Sequence, residues 1–471
     1  MKKYHVMKSI ARIILTLILD FSLSANDQVD RTKAPQSDPA PEINIGQPAI
    51  FRLDNGLTIL VVENHKLPMV TVSLDFDQDP ILEGDKAGLK NIFGDMLRAG
   101  TKSHTKEQFD EAIDHLGTTF YVASSGVYMS TLRRHLSESV KLMSEALLTP
   151  AFDNTQELQK LIKRSITNIK LNEKDSNAIS EHVRKILYYG KYHPYGEYAS
   201  RESLKKITLR DLKKFYQTYF KPNTAYLVFV GDITKEEAKR LADAHFSAWK
   251  KGTIPARKYT IAPLPAQLEI DLVDLPSVTQ SNISVGGVVN FKKNAPDYFA
   301  ALLANGILGG GIQGRLFQNL REQKSYTYGA YSNLVSDKHI GSFYASAQVR
   351  TEVTDSAVVE LIKELRKITS IPVSPEELEI KKKENIGRFI LRLENPRTII
   401  NFIISELKEQ LPKGFYQNYL KSLQLVTLPQ ITAAAKRYIP AQNAHILIVG
   451  KAEQLLPRLE KLGYLIHFFN K

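Results

Sequence analysis

The sequence contains no cysteine, and this absence excludes a disulfide, a thiolate metal site and a thiol nucleophile. Its eleven histidines are scattered, and no two of them lie three or four residues apart. A metal-binding helix with two histidines on one face needs that spacing, so this type of site is excluded as well. Beyond the N-terminus, no stretch reaches the roughly 18 consecutive apolar residues of a membrane-spanning helix.

The composition is that of an ordinary globular protein, with 43% apolar and 24% charged residues in a chain of 471. The net charge is +13, and it is +10 without residues 1–24, which hold four basic and one acidic side chain. Such basicity favours acidic peptides or anionic surfaces as partners. The basic residues alternate with acidic ones along predicted helices, as between Glu377 and Arg388, and no nucleic-acid-binding motif is present. We therefore expect solvated helix faces and no nucleic acid partner.

The first 24 residues have the pattern of a secretory signal peptide. Basic residues precede a short apolar segment at 13–19, and small residues follow at 22–25. Asp20 interrupts the pattern, so an N-terminal helix or short membrane anchor is the alternative. Residues 25–47 are polar and contain three prolines, which is typical of a flexible leader. The sequence thus predicts an exported protein, located in the periplasm after cleavage and membrane-associated without it.

Helical and strand patterns mix along the chain without strict β-α-β alternation. Asn55-Gly56 predicts a two-residue hairpin turn between apolar runs. Residues 69–76 and 225–231 have strand patterns, and residues 105–116 have a helical one with Thr105 as N-cap. These patterns predict an α+β fold in which helices pack on largely antiparallel sheets.

The second half of the chain repeats the first. The segment 207–231 returns at 426–450 with a constant offset of 219 residues, and the repeat covers a helix, a turn and a strand. We therefore predict two structurally similar halves, each a mainly antiparallel sheet with helices packed on it. The predicted N-terminal domain spans 48–250, a linker containing Lys, Gly and Pro spans 251–265, and the C-terminal domain spans 266–471.

A predicted helix at 88–100 carries the most informative pattern. Its apolar residues recur at helical spacing, whereas Asn91, Gly94 and Asp95 fall on another face. In a known type of zinc helix, two histidines stand at i and i+4 and a glutamate stands at i+3. Here Asn91 is at i, Gly94 at i+3 and Asp95 at i+4. Zinc needs imidazole or thiolate ligands, and hydrolysis needs a carboxylate to activate water. The three residues supply a single carboxylate, so the sequence predicts a plain amphipathic helix.

The sequence around this helix resembles the pitrilysin/insulinase family of zinc peptidases. Catalytic members read G-L-x-H-F-L-E-H-M-L-F-x-G-T where residues 88–101 read GLKNIFGDMLRAGT. The resemblance covers about residues 48–465, and further family motifs follow in order: HPYG at 193–196, FKPN at 220–223, LVFVGD at 227–232 and LGGGIQGRLFQNLRE at 308–322. The resemblance implies a third zinc-ligand position on a later helix. The alignment places Asn168 there, with Glu173 as the alternative.

The resemblance also implies a role for two residues of the second half. Arg321 ends a helix predicted at 316–322, and Tyr328 lies in the following strand. The family carries an Arg and a Tyr at this spacing, in its second half or on a separate subunit, where they reach the substrate beside the zinc. A guanidinium donates a fork of hydrogen bonds to a carbonyl, and a phenol donates to a developing oxyanion. The alternative is structural, with Arg321 paired to a carboxylate and Tyr328 packed on a sheet.

Gly309, Gly310 and Gly311 precede another predicted helix. In two-chain members of the family, the glycine-rich loop of the non-catalytic subunit is implicated in substrate handling. A tight turn that leads into a helix is an equal alternative. The run lacks the Gly-Lys-Ser/Thr ending of a nucleotide-binding loop, so we expect no bound nucleotide.

The resemblance extends to the two-chain mitochondrial processing peptidase branch of the family. It implies a non-catalytic, substrate-binding subunit of a heterodimeric zinc peptidase, acting on unfolded peptides. Zinc and an intact H-x-x-E-H motif would belong to the partner chain, and this chain would bind no metal or other cofactor. Two alternatives stay open: a structural or adaptor protein of the same fold with no role in proteolysis, and a homodimeric peptide-binding protein.

Overall fold

The computed structural model describes residue 43, residues 46–256 and residues 258–469. The predicted signal peptide and nearly all of the predicted leader lie outside this part of the chain. Within it, no helix combines the length and apolar character needed to cross a membrane. The strands of the described part are β1 Ala49–Arg52, β2 Thr58–Glu63, β3 Met69–Phe76, β4 Thr119–Ala123, β5 Gly126–Leu132, β6 Ala225–Gly231, β7 Glu269–Asp274, β8 Gln280–Val289, β9 Thr327–Val335, β10 Gly341–Arg350, β11 His445–Gly450 and β12 Leu465–Phe468.

The helices follow the same division into two halves. Those of the first half are α1 Leu89–Met96, α2 Lys106–His115, α3 Leu136–Leu148, α4 Thr155–Asn172, α5 Ser176–Tyr189, α6 Arg201–Lys205, α7 Leu209–Tyr219 and α8 Lys235–Phe246. Those of the second half are α9 Tyr298–Gly309, α10 Arg315–Phe317, α11 Thr354–Ser370, α12 Pro375–Arg392, α13 Pro396–Lys408, α14 Tyr419–Gln424, α15 Leu428–Tyr438 and α16 Ala452–Leu459. A π-helix, Gln318–Gln323, directly follows α10.

Two six-stranded sheets share one strand order. The first is β1-β2-β6-β3-β5-β4 and the second is β12-β7-β11-β8-β10-β9. In each sheet the four strands at one end are antiparallel neighbours, and one central pair, β2-β6 or β7-β11, is parallel. The sheets differ at one edge, where β1 runs antiparallel to β2 but β12 runs parallel to β7. The predicted α+β fold with two similar halves is confirmed, although the sheets are mixed.

The repeated segment forms the same helix–strand unit twice. Helix α7 begins after Thr208 and helix α15 after Thr427, and each threonine forms a capping box with the residue three positions on. Such a box satisfies two of the free N–H groups at a helix start. Each helix ends in a tyrosine, and β6 or β11 then enters the middle of its sheet.

Each half also places a helix on the sheet of the other half. Helix α13 of the second half packs on the first sheet, and helix α5 of the first half packs on the second sheet. The contacts are apolar and buried. The first cluster contains Leu60, Val62, Val228, Val230, Ile400, Ile403 and Ile404, and the second contains Ile179, Val183, Val273, Leu275, Leu447 and Val449. Burial of apolar surface stabilises such contacts, so the exchanged helices join the halves firmly.

The structure corrects three local predictions. The helix predicted at 88–100 ends at Met96, and Gly100, with φ +126°, already pairs in a β-bridge with Thr105. The hairpin at Gly56 has a five-residue connection rather than a two-residue turn, since Arg52 pairs with Thr58. The helix predicted at 316–322 is a short α-helix followed by the π-helix. The predicted domain boundaries stay predictions; the first sheet ends its last strand at 231 and the second begins at 269.

Candidate functional site

Helix α1 begins at a loop that two carboxylates hold in place. Glu83 accepts a hydrogen bond from the backbone N–H of Gly88 at 2.6 Å, next to the first residue of the helix. Glu197 accepts from the backbone N–H groups of Glu83 and Gly84. Burial raises the pKa of the Glu83 carboxyl. Gly88 has φ +100°, which favours glycine, so this loop fixes where α1 starts and which residues it presents.

Gly94, at the position of the catalytic glutamate in active relatives, is buried against the turn between β4 and β5. A Cβ atom at this position would lie 2.8 Å from the backbone nitrogen of Ser124 and 3.1 Å from the Cα of Ala123. Backbone atoms cannot yield as the end of a flexible side chain can. The helix therefore approaches this turn as closely as only glycine permits, and the position has no space for a glutamate side chain.

Asp95, at the position of the second zinc-binding histidine, is engaged by an arginine. Its carboxylate lies 2.7 Å from a guanidinium nitrogen of Arg164 on helix α4. Arg164 precedes Asn168 by one helical turn, so it projects from the same face toward α1. Arg164 was not among the residues predicted from the sequence. Its position four residues before Asn168, on the helix of the third-ligand position, could have indicated a partner for Asp95.

Asn91 and Asn168 line the same cavity of about 500 Å³, so the structure brings the first and third ligand positions together. Glu173 does not line this cavity. It follows the end of helix α4 and pairs with Arg201 at 2.9 Å. Of the two residues considered for the third position, Asn168 shares this cavity with Asn91, and the alignment of either residue with the third ligand stays a prediction.

These residues do not fit zinc. Asn91 and Asn168 offer amide oxygens, Gly94 offers no side chain, and the single carboxylate of Asp95 already pairs with a cation. Zinc sites use imidazole, thiolate or carboxylate ligands, with at least three from the protein. In the described ranges 46–256 and 258–469, no three His, Asp or Glu side chains are grouped so that they could hold a metal ion.

The glycine run of the second half closes helix α9 against β9. A Cβ at Gly309 would lie 2.3 Å from the backbone nitrogen of Ser332, and one at Gly310 would collide with the helix itself at Gly306. Gly311 has φ +130°. Packing and turn geometry thus account for all three glycines. Ile312 is 62% exposed just beyond them, and the substrate-handling role of the loop stays a prediction.

Arg321 and Tyr328 lie side by side. The guanidinium carbon of Arg321 is 5.3 Å from the centre of the Tyr328 ring. Tyr328 is 83% exposed, on the edge strand β9. The guanidinium forms no ion pair or hydrogen bond with another described residue. The structural alternative of a carboxylate-paired arginine and a packed tyrosine is therefore not the arrangement found in this part of the chain.

The π-helix and the turn after it set this geometry. Asn319 in the π-helix donates hydrogen bonds to Glu360 at 2.9 Å and to Glu364 at 2.8 Å, which anchors the segment on helix α11. Ser325 then adopts φ +55°, and the chain turns directly into β9. A π-helix and a non-glycine residue at positive φ are both uncommon and are found often at functional sites.

Comparisons with known proteins agree with this geometry. Residues 206–385 match the family profile described as peptidase M16 inactive domain. The Helicobacter pylori protein named non-peptidase homolog YmxG is 23% identical over 84% of this chain and 92% of its own length. The beta subunit of the mitochondrial-processing peptidase of Saccharomyces cerevisiae is 22% identical over 75% of this chain and 80% of its own.

Solved structures share the fold. A peptidase M16 inactive domain from Pseudomonas fluorescens aligns with a TM-score of 0.78 and 22% identity, covering 86% of this chain and 98% of that one. The periplasmic protease PqqL of Escherichia coli aligns with a TM-score of 0.69 and 18% identity, covering 89% of this chain and 50% of that one. The fold is thus that of the M16 inactive domains. The chain is similar over most of its length to proteins of the M16 peptidase family, and its residues 206–385 match a profile of that family, in agreement with the pitrilysin-like family that its motifs indicated.

Proposed function

We propose that this chain is the non-catalytic, substrate-binding subunit of a heterodimeric zinc peptidase. A partner chain supplies the zinc, its histidines and the general-base glutamate. This chain closes part of the chamber around an unfolded peptide and contributes Arg321 and Tyr328 to the reaction of the partner.

The observation that carries the proposal is the contrast between the two halves. In the first half, Gly94 leaves no space for the glutamate of a zinc peptidase, and Asp95, at the position of a zinc-binding histidine, pairs with Arg164. In the second half, the Arg321 guanidinium carbon lies 5.3 Å from the centre of the Tyr328 ring, and both side chains offer hydrogen-bond donors free of carboxylate partners among the described residues. Neither donor needs a metal in its own chain to act on a substrate.

The two donors suit the transition state of peptide hydrolysis. The guanidinium offers a planar fork of N–H groups that matches a carbonyl or carboxylate. The phenol of Tyr328 offers one O–H to the oxyanion that develops as water attacks the carbonyl. Donors aimed at developing charge stabilise the transition state more than the ground state, and losing one lowers turnover about 100- to 1,000-fold in other enzymes.

The alignment with PqqL favours a second unit. This chain aligns with about half of that protein, so an assembly of the PqqL type contains a further unit of similar size. A further relative is named as a subunit of a processing peptidase. Export to the periplasm is part of the proposal, since the N-terminal sequence has a signal pattern and PqqL is a periplasmic protease.

The test is to co-purify the native complex and measure its peptidase kinetics with variants of this chain. Arg321→Ala and Tyr328→Phe should lower kcat by roughly 10- to 1,000-fold with little change in complex formation. Arg321→Lys should recover only part of the activity, because an ammonium lacks the planar fork.

Two control variants match these changes. Tyr121→Phe removes the hydroxyl of another exposed tyrosine. Tyr121 lies on β4, which is the edge strand of the first sheet as β9 is of the second. Arg240→Ala removes an exposed arginine of helix α8. Both controls should leave kcat unchanged. If the Arg321 and Tyr328 variants behave like the controls, the two residues are structural and their proposed contribution to the reaction is wrong.

A further inference from the structure

A cavity of about 610 Å³ lies between the two halves of the chain. Helix α5 and residues 194–198 form its first-half wall, and residues 335–344 form its second-half wall. Several tyrosines line it, so its surface offers both aromatic faces and hydroxyl groups. Charged and polar side chains lie among the aromatic ones, and a concave cavity of this size is typical of a ligand site.

Arg184 on helix α5 projects into this cavity with its donors unused. Its guanidinium carbon lies 3.5 Å above the centre of the Tyr344 ring, and the side chain is half-buried. It forms no ion pair or hydrogen bond with another described residue. A guanidinium that stacks on a ring contacts the ring through its planar face. Its N–H groups point outward along its edges and remain free to donate hydrogen bonds.

The other charged groups that line the cavity already have partners. Glu181 pairs with Lys185 at 2.7 Å. The Glu197 carboxylate accepts hydrogen bonds from two backbone N–H groups. Asp337 accepts from the Tyr195 hydroxyl at 2.8 Å and from two backbone N–H groups. Arg184 is therefore the one cavity-lining charge without a partner in the described part of the chain.

His182 does not add to this charge. Its ring stacks on the Tyr198 ring at a centroid distance of 3.7 Å. Burial, together with the nearby Lys185 and Lys191 ammonium groups, lowers the pKa of His182 to about 4. The imidazole is thus neutral at neutral pH, and Arg184 is the cation of the cavity whose N–H donors are free for a ligand.

We propose that this cavity binds a carboxylate group of a peptide, with the Arg184 guanidinium as its two-pronged donor and the tyrosines as walls for the adjoining residues. The inference rests on the proposed function in that the ligand is a peptide. The site is separate from Arg321 and Tyr328, which lie at the opposite end of β9 from Val335. We therefore expect an acidic side chain or a free C-terminus to be the group by which the peptide binds.

The experiment uses the purified full chain without a partner and measures fluorescence anisotropy with three labelled peptides. All three share one Ser/Gly/Gln-rich sequence. The first has a free C-terminus, the second is amidated, and the third is amidated with one internal Gln replaced by Glu. Binding to wild type, Arg184→Gln, Arg184→Lys and the surface control Arg240→Gln is compared.

Hydrogen bonds to a charged group imply that a carboxylate-bearing peptide binds wild type about 10- to 100-fold more tightly than the neutral amide. Arg184→Gln should abolish that difference, Arg184→Lys should keep part of it, and Arg240→Gln should keep all of it. Preference for the first peptide identifies the α-carboxylate as the ligand, and preference for the third identifies an acidic side chain.

The two proposals fail in different ways. If all three peptides bind wild type equally, the carboxylate site is wrong and the substrate-binding role stands. If Arg184→Gln retains the preference, the site lies elsewhere. If no peptide binds, the substrate-binding role is wrong and this inference falls with it. Thermal unfolding of each variant checks folding, and Tyr344→Leu, which removes the stacking ring, should weaken the preference without removing the charge.

Discussion

Replacing Gly94 with alanine should destabilise the protein, although alanine is the better helix former. In an open helical position this change stabilises by about 0.8–1.0 kcal/mol. At Gly94 the added Cβ would lie 2.8 Å from the Ser124 backbone nitrogen, and forcing a group into such a packed place costs about 1–3 kcal/mol. The net change expected is thus a loss of up to about 2 kcal/mol.

Gly387 in helix α12 is the matched control, because a Cβ there meets no other heavy atom within 4 Å. Gly387→Ala should therefore stabilise by about 0.5–1 kcal/mol. Urea unfolding is followed by circular dichroism, which reports on both halves, and by the fluorescence of the single tryptophan, Trp249, which is buried in the core of the first half. If Gly94→Ala is as stabilising as Gly387→Ala, the turn at Ser124 does not close this position, and the reasoning is refuted.

The same packing bears on attempts to restore catalysis. A glutamate at position 94 is larger than alanine and meets the same backbone. We expect the combined Asn91→His, Gly94→Glu and Asp95→His variant to be less stable than wild type and to gain no peptidase activity. Activity in the isolated triple variant would contradict this, because it would show that the site still accommodates the three catalytic side chains.

Three further predictions concern stability and protonation. Ile400 is buried where α13 packs on the first sheet, so Ile400→Ala should lower the free energy of unfolding in urea by about 2–5 kcal/mol. Ile380 is half-exposed, so Ile380→Ala should lower it little. Arg164→Gln should cost less than about 1 kcal/mol, because its ion pair with Asp95 is exposed; a larger loss would mean that the pair supports the fold. The His182 ring should titrate by NMR near pH 4, so its contribution to stability is present above pH 6.5 and is lost as the pH falls through about 4; titration near 6.5 would contradict its burial. His182→Phe keeps the stacking and should remove this part of the acid sensitivity.

Local patterns predicted much of the fold. An N-cap residue, helical spacing and strand alternation placed several elements, because each depends on residues a few positions apart. Thr105 is the N-cap of α2 as predicted, and the constant offset between the two repeats indicated the two similar halves, which share one strand order. The matched motifs indicated the family.

Contacts between distant residues were not predictable in the same way. The exchange of α5 and α13 depends on which apolar face meets which sheet, and both helices are amphipathic in any arrangement. The pairing of Arg164 with Asp95 joins residues 69 positions apart. Gly94 was identified as a lost glutamate, but its contact with the turn at Ser124 is a property of the folded helix. The π-helix at Gln318–Gln323 is joined to helix α11 by hydrogen bonds of Asn319, which no local pattern encodes.

Metal analysis tests the central claim most directly. The full chain, purified without a partner and equilibrated with zinc, is dialysed and its metal content measured, and the same is done for the native complex. The account predicts no stoichiometric zinc in the isolated chain and one zinc per heterodimer in the complex. Stoichiometric zinc retained by the isolated chain, together with peptidase activity, would contradict it.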